Sequence, residues 1–462
     1  MNITILSGRC GGDKIAGGYG KSYKSVEDSL ARDIMNRQPF TSSALKRNLS
    51  ESEKAYYFKK NNSAELELLI SDAVLIANEN FRSGVSVKKL NIKGRCVYTA
   101  SCLKEKIILR HCNANLKCIE SLLPKQRNTI INELKIYLKE GTPFKIYRLD
   151  IKSFFESIDL PQLFQCLHNE TRLSRHTKNL LEWYLKSCER IHSSKGLPRG
   201  LEISPMLSEL YLAQFDNSVH RHPDVFYYSR FVDDMVIVSS GYECEASFMN
   251  FIQDLLPKGL SLNKNKLKVS PCIPKRSKGI NRQNKLLHEF DFLGYSFSII
   301  DTPLNKDGEI NSCYRKVIVN LSKSRLKKIK NRIARSFYSY HINGDFKLLL
   351  DRISFLTSNR DLNRKIKSSS SLEKSKISTG IYYSNSRLDD SISLKQLDDF
   401  LLYCVKTNTG RLNSIIKKPF NLKQKKELLR NSFRKGFLIE YTESITLSAI
   451  LRLQKYGYKE KH

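Results

Sequence analysis

The 462-residue sequence contains one tryptophan and five methionines, and no apolar run in it approaches the roughly 20 residues needed to cross a bilayer. Membrane-spanning helices are therefore not expected. The short apolar stretch within Met1–Cys10 comes just before Gly, Arg and Cys, so no signal peptide is expected either. None of the 11 cysteines falls in a Cys-x-x-Cys pair. Cys96, Cys102, Cys112 and Cys118 cluster at spacings of six, ten and six, which are not zinc-finger spacings. Free thiols in a cytoplasmic protein are the expectation. No internal repeat is visible. The one phosphate-loop-like stretch, Gly17–Ser22, lacks the leading glycine because Ile15 occupies that position. Acidic residues are scarce as well: 46 against 79 Lys and Arg, a formal net charge of +33. Such self-repulsion does nothing for folding, whereas a polyanionic partner relieves it by releasing counterions. Nucleic acid is the partner expected.

Hydrophobic residues make up 40% of the chain, enough for a large core and for two to four structural units. Helical spacing predicts a helix over 63–78, with Leu66, Leu69, Ile70, Ala73, Val74 and Ala77 on one side, and helical structure over 102–140. Phe144–Ile151 alternates as a strand. Asp159 and Pro161 start helical structure reaching about Cys188. Ser204–Pro205 reads as a serine cap followed by a helix to about Val219. Phe226–Val232 and Met235–Ser240 are strand-like, a helix is expected near 243–256, and Phe290–Ile300 is again strand-like. Beyond about 320 the chain reads as helical, broken by a Ser- and Lys-rich loop at 366–378.

Three adjacent aspartate pairs occur. Asp389–Asp390 and Asp398–Asp399 lie in polar surroundings and are expected to face water. Asp233–Asp234 instead separates two strongly apolar strands, where two like charges repel and are poorly hydrated unless a cation binds them. Asp150 ends a third strand. Two metal ions need carboxylates converging from different strands, and oxygen-rich sites of this kind suit Mg²⁺. The 83-residue gap from Asp150 to Asp233 leaves room for a crossover that joins the strands in one sheet.

The ordered segments Arg148-Leu-Asp150-Ile-Lys-Ser-Phe-Phe155, Gly196-Leu-Pro-Arg199-Gly200-Leu-Glu-Ile-Ser204-Pro205 and Phe231-Val-Asp233-Asp234 resemble the palm motifs of reverse transcriptases. Leu260-Ser-Leu-Asn263-Lys-Asn-Lys266 and Phe292-Leu293-Gly294-Tyr295 resemble the two motifs that follow. The sequence is most similar to the bacterial retron, abortive-infection and other defence-associated enzymes. The resemblance implies an α+β fold of right-hand polymerase type. Its N-terminal extension would span 1–90, its fingers and palm 91–305, and its basic, helical, thumb-like region 306–462.

The implied activity is RNA-directed DNA synthesis from dNTPs, by two Mg²⁺ ions, in antiviral (phage) defence. Implied roles are metal binding by Asp150, Ile151, Asp233 and Asp234, and nucleotide contacts by Ile151, Phe155, Arg199 and Gly200. Phe155 would exclude the ribose 2′-hydroxyl, or else be a plain core aromatic. Gly200 would let the backbone approach the nucleotide, or else be a turn glycine. Lys266 would protonate pyrophosphate, or else be a solvated lysine. Phe292, Leu293, Gly294 and Tyr295 would form a primer grip or a simple core hairpin. Lys93, Arg95 and Arg110 are candidates for binding the triphosphate. Arg199 stands where glutamine is usual, and its planar fork suits phosphate or carboxylate. Implied partners are an RNA template and DNA product, with a dedicated non-coding RNA, a partner defence protein or a second copy of the chain left open. Template-independent or protein-primed synthesis, RNA polymerisation and a scaffold with a vestigial site are the rival readings.

Overall fold

The computed structural model describes residues 38–50, 53–54, 56–57, 63–92, 94–192, 195–275, 285–302, 314–363, 376–406, 420–439 and 452–453. Gly17–Ser22, Lys93, residues 276–284 and residues 366–375 lie outside them. No helix of the described residues is long and apolar enough to cross a membrane. The chain divides into two compact units: Met1–Leu123 with Ser153–Ala213, and Pro124–Lys152 with Gln214–His462.

Among the described residues the first unit is mainly helical and carries a hairpin, β1 (Val87–Ile92) paired antiparallel with β2 (Arg95–Ala100). The predicted helix forms over Ser63–Asn78 and buries Leu66, Ile70, Ala73 and Ala77, while Leu69 and Val74 are half-buried. The helical stretch expected over 102–140 is broken. One helix spans Leu103–Lys117, a short 3₁₀ turn follows at Glu120–Leu122, and Pro124 ends the run before Arg127–Tyr137 begins in the second unit. The stretch expected to reach Cys188 is also two helices, Leu160–Asn169 and Arg175–His192. Asp159 caps the first by accepting from the Gln162 amide at 3.0 Å. Between them Glu170 accepts from the Arg172 amide at 3.0 Å and its guanidinium at 2.8 Å, a local ring that competes with the helix ladder. Ser204 is not the expected cap: it is the first helical residue, and its hydroxyl donates to the Pro198 carbonyl at 2.6 Å.

The second unit holds an antiparallel sheet of order β4-β5-β3-β6, made of β3 (Phe144–Asp150), β4 (Val225–Phe231), β5 (Asp234–Ser239) and β6 (Lys268–Cys272). β5 lies inside it and buries every residue from Met235 to Ser239, which explains its unbroken apolar run. A second sheet has order β7-β8-β9, from β7 (Lys285–Phe292), β8 (Tyr295–Asp301) and β9 (Lys316–Leu321). Ile130, Ile131 and Leu134 of the helix Arg127–Tyr137 share one core with Ile146, Val236 and Val238 of the first sheet and Phe290, Phe297 and Val319 of the second. Fully burying such side chains contributes about 1.5–3 kcal/mol each.

Another core joins the helices Lys323–Asn343, Phe346–Thr357, Ile392–Lys406, Leu422–Leu429 and Phe433–Leu438. The loop expected at 366–378 is in part a strand: β10 (Asn359–Asn363) pairs with β11 (Lys376–Gly380). The two other aspartate pairs are not simply solvated. Asp389 pairs with Lys135 and accepts from the Val319 amide at 2.8 Å. Asp398 accepts from the Phe433 amide at 2.6 Å and the Ser432 hydroxyl at 2.8 Å, at the start of the last helix. Asp399 is exposed as expected.

Candidate active site

β4 and β5 meet in a two-residue turn, Val232–Asp233, with Phe231 paired to Asp234. Val232 has φ +61°, and Asp233 is not among the residues of positive φ; that pattern fits a type II′ turn. Glycine is usual at this first position, and a β-branched residue held there is strained by about 1–3 kcal/mol. The surroundings hold it in place. The buried Arg230 donates to the Val232 carbonyl at 3.0 Å and forks onto both oxygens of Asp216 at 3.0 and 2.6 Å. Tyr228 donates to the same carboxylate at 2.5 Å.

Asp150, at the end of β3, faces Asp234 across the ladder, and the Ile151 amide donates to the Asp233 carbonyl at 3.3 Å. The structure therefore brings Asp150, Ile151, Asp233 and Asp234 together. Asp150 is buried; one carboxylate oxygen accepts from Lys266 Nζ at 2.7 Å and the other from Asn263 Nδ2 at 3.0 Å. The Asn263 amide also donates to the Asp150 carbonyl at 2.7 Å. Lys266 is thus ion-paired rather than simply solvated, and this bond raises its pKa. Desolvation, then repulsion from Asp233 and Asp150, pushes the Asp234 carboxyl up to about 6, while Lys266 and Arg148 draw it back. A cavity of about 380 Å³ opens here, lined by Asp150, Asp234, Lys266, Arg148, Asp291 and Gly294.

The donor set fits a hard divalent cation, since three carboxylates crowd closely enough to repel and all offer oxygen. They do not form a ready cage: among the described residues no group of three acidic, His or Cys side chains is set to hold a metal. A cation there would share the Asp150 carboxylate with Lys266 and Asn263.

The second turn, Leu293–Gly294, joins β7 to β8 with Phe292 paired to Tyr295. Both turn residues have positive φ, +47° and +80°, as a type I′ turn requires. Phe292 and Tyr295 are buried in the core, and Leu293 and Gly294 are half-buried. Arg127 donates to the Leu293 carbonyl at 2.8 Å and lies over the Tyr295 ring at 4.5 Å.

In the first unit, Phe154 is core and Phe155 is half-buried beside it. Arg199 does take a carboxylate: its fork donates to both oxygens of Glu156 at 3.0 and 3.2 Å, and its guanidinium lies 5.0 Å from the Phe155 ring centre. Gly200 has φ +100°, and a Cβ there would lie 2.4 Å from Val97 Cγ1 and 2.8 Å from the Tyr98 carbonyl oxygen. The close approach it permits is to β2. Arg110 is committed to Glu53 and Glu202 at 2.7 and 2.9 Å, whereas Arg95 is exposed on β2.

Sequence reasoning missed Glu156, Asn263 as a partner of Asp150, and the Arg230–Asp216 pair. An arginine two residues before the turn, inside an otherwise apolar strand, was the available signal for the last.

The family model for reverse transcriptase (RNA-dependent DNA polymerase) matches residues 92–297. No curated protein matches the sequence. Among solved structures, apo telomerase from Candida tropicalis, truncated from its C-terminal domain, is similar at 12% identity, over 46% of this chain and 53% of that one, with TM-score 0.32. Telomerase from Candida albicans in complex with a TWJ fragment of telomeric RNA is similar at 14% identity, over 75% of this chain and 57% of that one, with TM-score 0.33. The chain spans somewhat more than half the length of each. Residues 92–297, which include Asp150, Asp233 and Asp234, are a reverse transcriptase domain.

Proposed function

We propose that the protein is an RNA-directed DNA polymerase that adds dNTPs to a primer end by two-metal catalysis, and that it serves antiviral defence. The observation that carries the chemistry is the register of β3 against the β4–β5 turn, which sets Asp150 opposite Asp234 with Asp233 adjoining. Asp150, Asp233 and Asp234, with the Ile151 carbonyl, would hold two Mg²⁺ ions. Bound there, such ions activate a primer hydroxyl and neutralise the pyrophosphate leaving group. Lys266, already beside Asp150, is suited to hold a proton for that leaving group. Phe155 is read as the sugar gate and Phe292–Tyr295 as the primer grip. The fingers would then fall within about 90–145 and 160–200, the palm within 144–159 and 200–300, and a thumb-like region within 306–462. RNA template, DNA product and dNTPs are the partners this reading needs, in the cytoplasm. The +33 charge favours such partners over a protein ligand.

The test supplies purified protein with Mg²⁺ and dNTPs or NTPs, with and without an RNA template. Templated dNTP incorporation is expected, and the double variant Asp233→Asn, Asp234→Asn should abolish it. Activity that survives both substitutions, or wild-type protein that incorporates nothing, rejects the polymerase. In the same assay Phe155→Ala should raise NTP use relative to dNTP use, and an unchanged ratio removes the gate role. Incorporation without template would favour the template-independent reading. For defence, plaque counts on cells carrying the wild-type gene should rise to those of empty cells when Asp233 is changed to Asn.

A further inference from the structure

In the second unit, the helix Lys323–Asn343 carries Arg325, Lys328 and Arg332 at i, i+3 and i+7, positions that share one helical face. Together with the buried Arg360, whose guanidinium donates to the Ser358 hydroxyl at 3.0 Å, they line a cavity of about 400 Å³ with no carboxylate among its described lining residues. Four cations converge there on one small volume.

The interior wall sharpens the imbalance. Arg325 and Arg127 both donate to the Ser384 carbonyl, at 2.9 and 3.2 Å, so two like-charged guanidiniums share one neutral acceptor. Nη2 of Arg127 is buried with no hydrogen-bond partner among the described residues. Burial and the charge of Arg127 both make Arg325 harder to keep protonated. Gly294 forms part of the same wall: a Cβ there would stand 3.3 Å from Arg325 Nη1 and 3.5 Å from Arg127 Nη2. Such an arrangement costs free energy unless an anion enters.

The volume exceeds what a lone phosphate fills and lies within the ordinary range for small-ligand sites, roughly 300–1,000 Å³. Its wall is also mixed. Ile329 and Phe355 offer an apolar side, and Arg360 lies over the Phe355 ring at 4.3 Å from its centre. A ligand with a phosphate at one end and a flat, weakly polar body at the other matches both parts.

We propose that this cavity binds a phosphorylated nucleoside, either a free nucleotide or the phosphorylated end of a nucleic-acid strand, without a metal ion. The site is separate from the aspartates, although Gly294 and Ser324 belong to the walls of both cavities.

The experiment uses the full-length protein in EDTA and measures binding of fluorescent dATP. Saturable binding is expected. Lys328→Glu with Arg332→Glu, both at exposed positions, should weaken it at least tenfold, about 1.4 kcal/mol. Lys327→Glu on the same helix, outside the cavity, should change it less than twofold. Unlabelled oligonucleotides then separate the sources. Displacement by a 5′-phosphorylated strand but not by its 5′-hydroxyl twin identifies a strand end, and displacement by neither identifies a free nucleotide. No saturable dATP binding, equal weakening by Lys327→Glu, or equal displacement by both strands overturns the proposal.

Discussion

Asp234 shows at the scale of one residue how function is set against stability. Its carboxyl is pushed up to about 6 from an ordinary 3.8 by desolvation and by repulsion from Asp233 and Asp150. A raised carboxyl pKa means that the folded state holds the proton more tightly than the unfolded one. Its stabilising effect is present below about pH 3.8 and is lost as pH rises through about 6. Melting temperatures of metal-free protein should therefore carry a downward component over that interval, which Asp234→Asn removes. An identical slope in the variant would show that the carboxylates do not repel. Added Mg²⁺ should protect wild type more at pH 7 than at pH 5, because protons and cations compete for the same oxygens. The sequence alone did not say which of Phe154 and Phe155 is the more buried, because that depends on what the fold packs around each ring.

At the scale of the element, the β4–β5 hairpin is the feature that matters. Its strands were legible because a strand buried on both faces needs a continuous apolar run. Its turn was not, because Val232 at positive φ contradicts local preference and is held by the flanking ladder and by Arg230 with Asp216. Arg230→Ala strands a partly buried carboxylate and frees the Val232 carbonyl. The expected loss is about 3–5 kcal/mol by denaturant titration, nearer the lower figure because Asp216 is partly exposed. Asp216→Asn combined with Arg230→Met should recover much of that stability but not the polymerase rate. Recovery of both would remove Arg230 as a positioning residue for Asp233. The helices misjudged over 102–140 and 160–188 failed for a related reason. Helical periodicity continues through a break when the residues on either side still face a core; the breaks fall between Lys117 and Arg127, where Pro124 lies, and at the Glu170–Arg172 ring.

At the scale of the whole molecule, the excess of basic residues predicts how nucleic acid is held. Each phosphate neutralised on duplex DNA contributes a slope of about 0.9 to log affinity against log salt, so affinity should fall steeply between low and moderate salt. A flat response would return the +33 to simple solvation. By itself the sequence determined the charge, the apolar strands and the three aspartates, because each is written in residue type and short-range order. It also carried the resemblance to reverse transcriptases, through five motifs in order. Tertiary structure alone decided which carboxylates are free and which are bonded: Asp150 tied to Lys266 and Asn263, Asp398 at the start of a helix, Asp216 holding Arg230. It also decided that Arg199 meets Glu156 and that four cations line one cavity with no carboxylate among its described lining residues. Those outcomes depend on partners far apart in the chain, and a hydrogen bond forms only between groups that the fold has brought within about 3 Å.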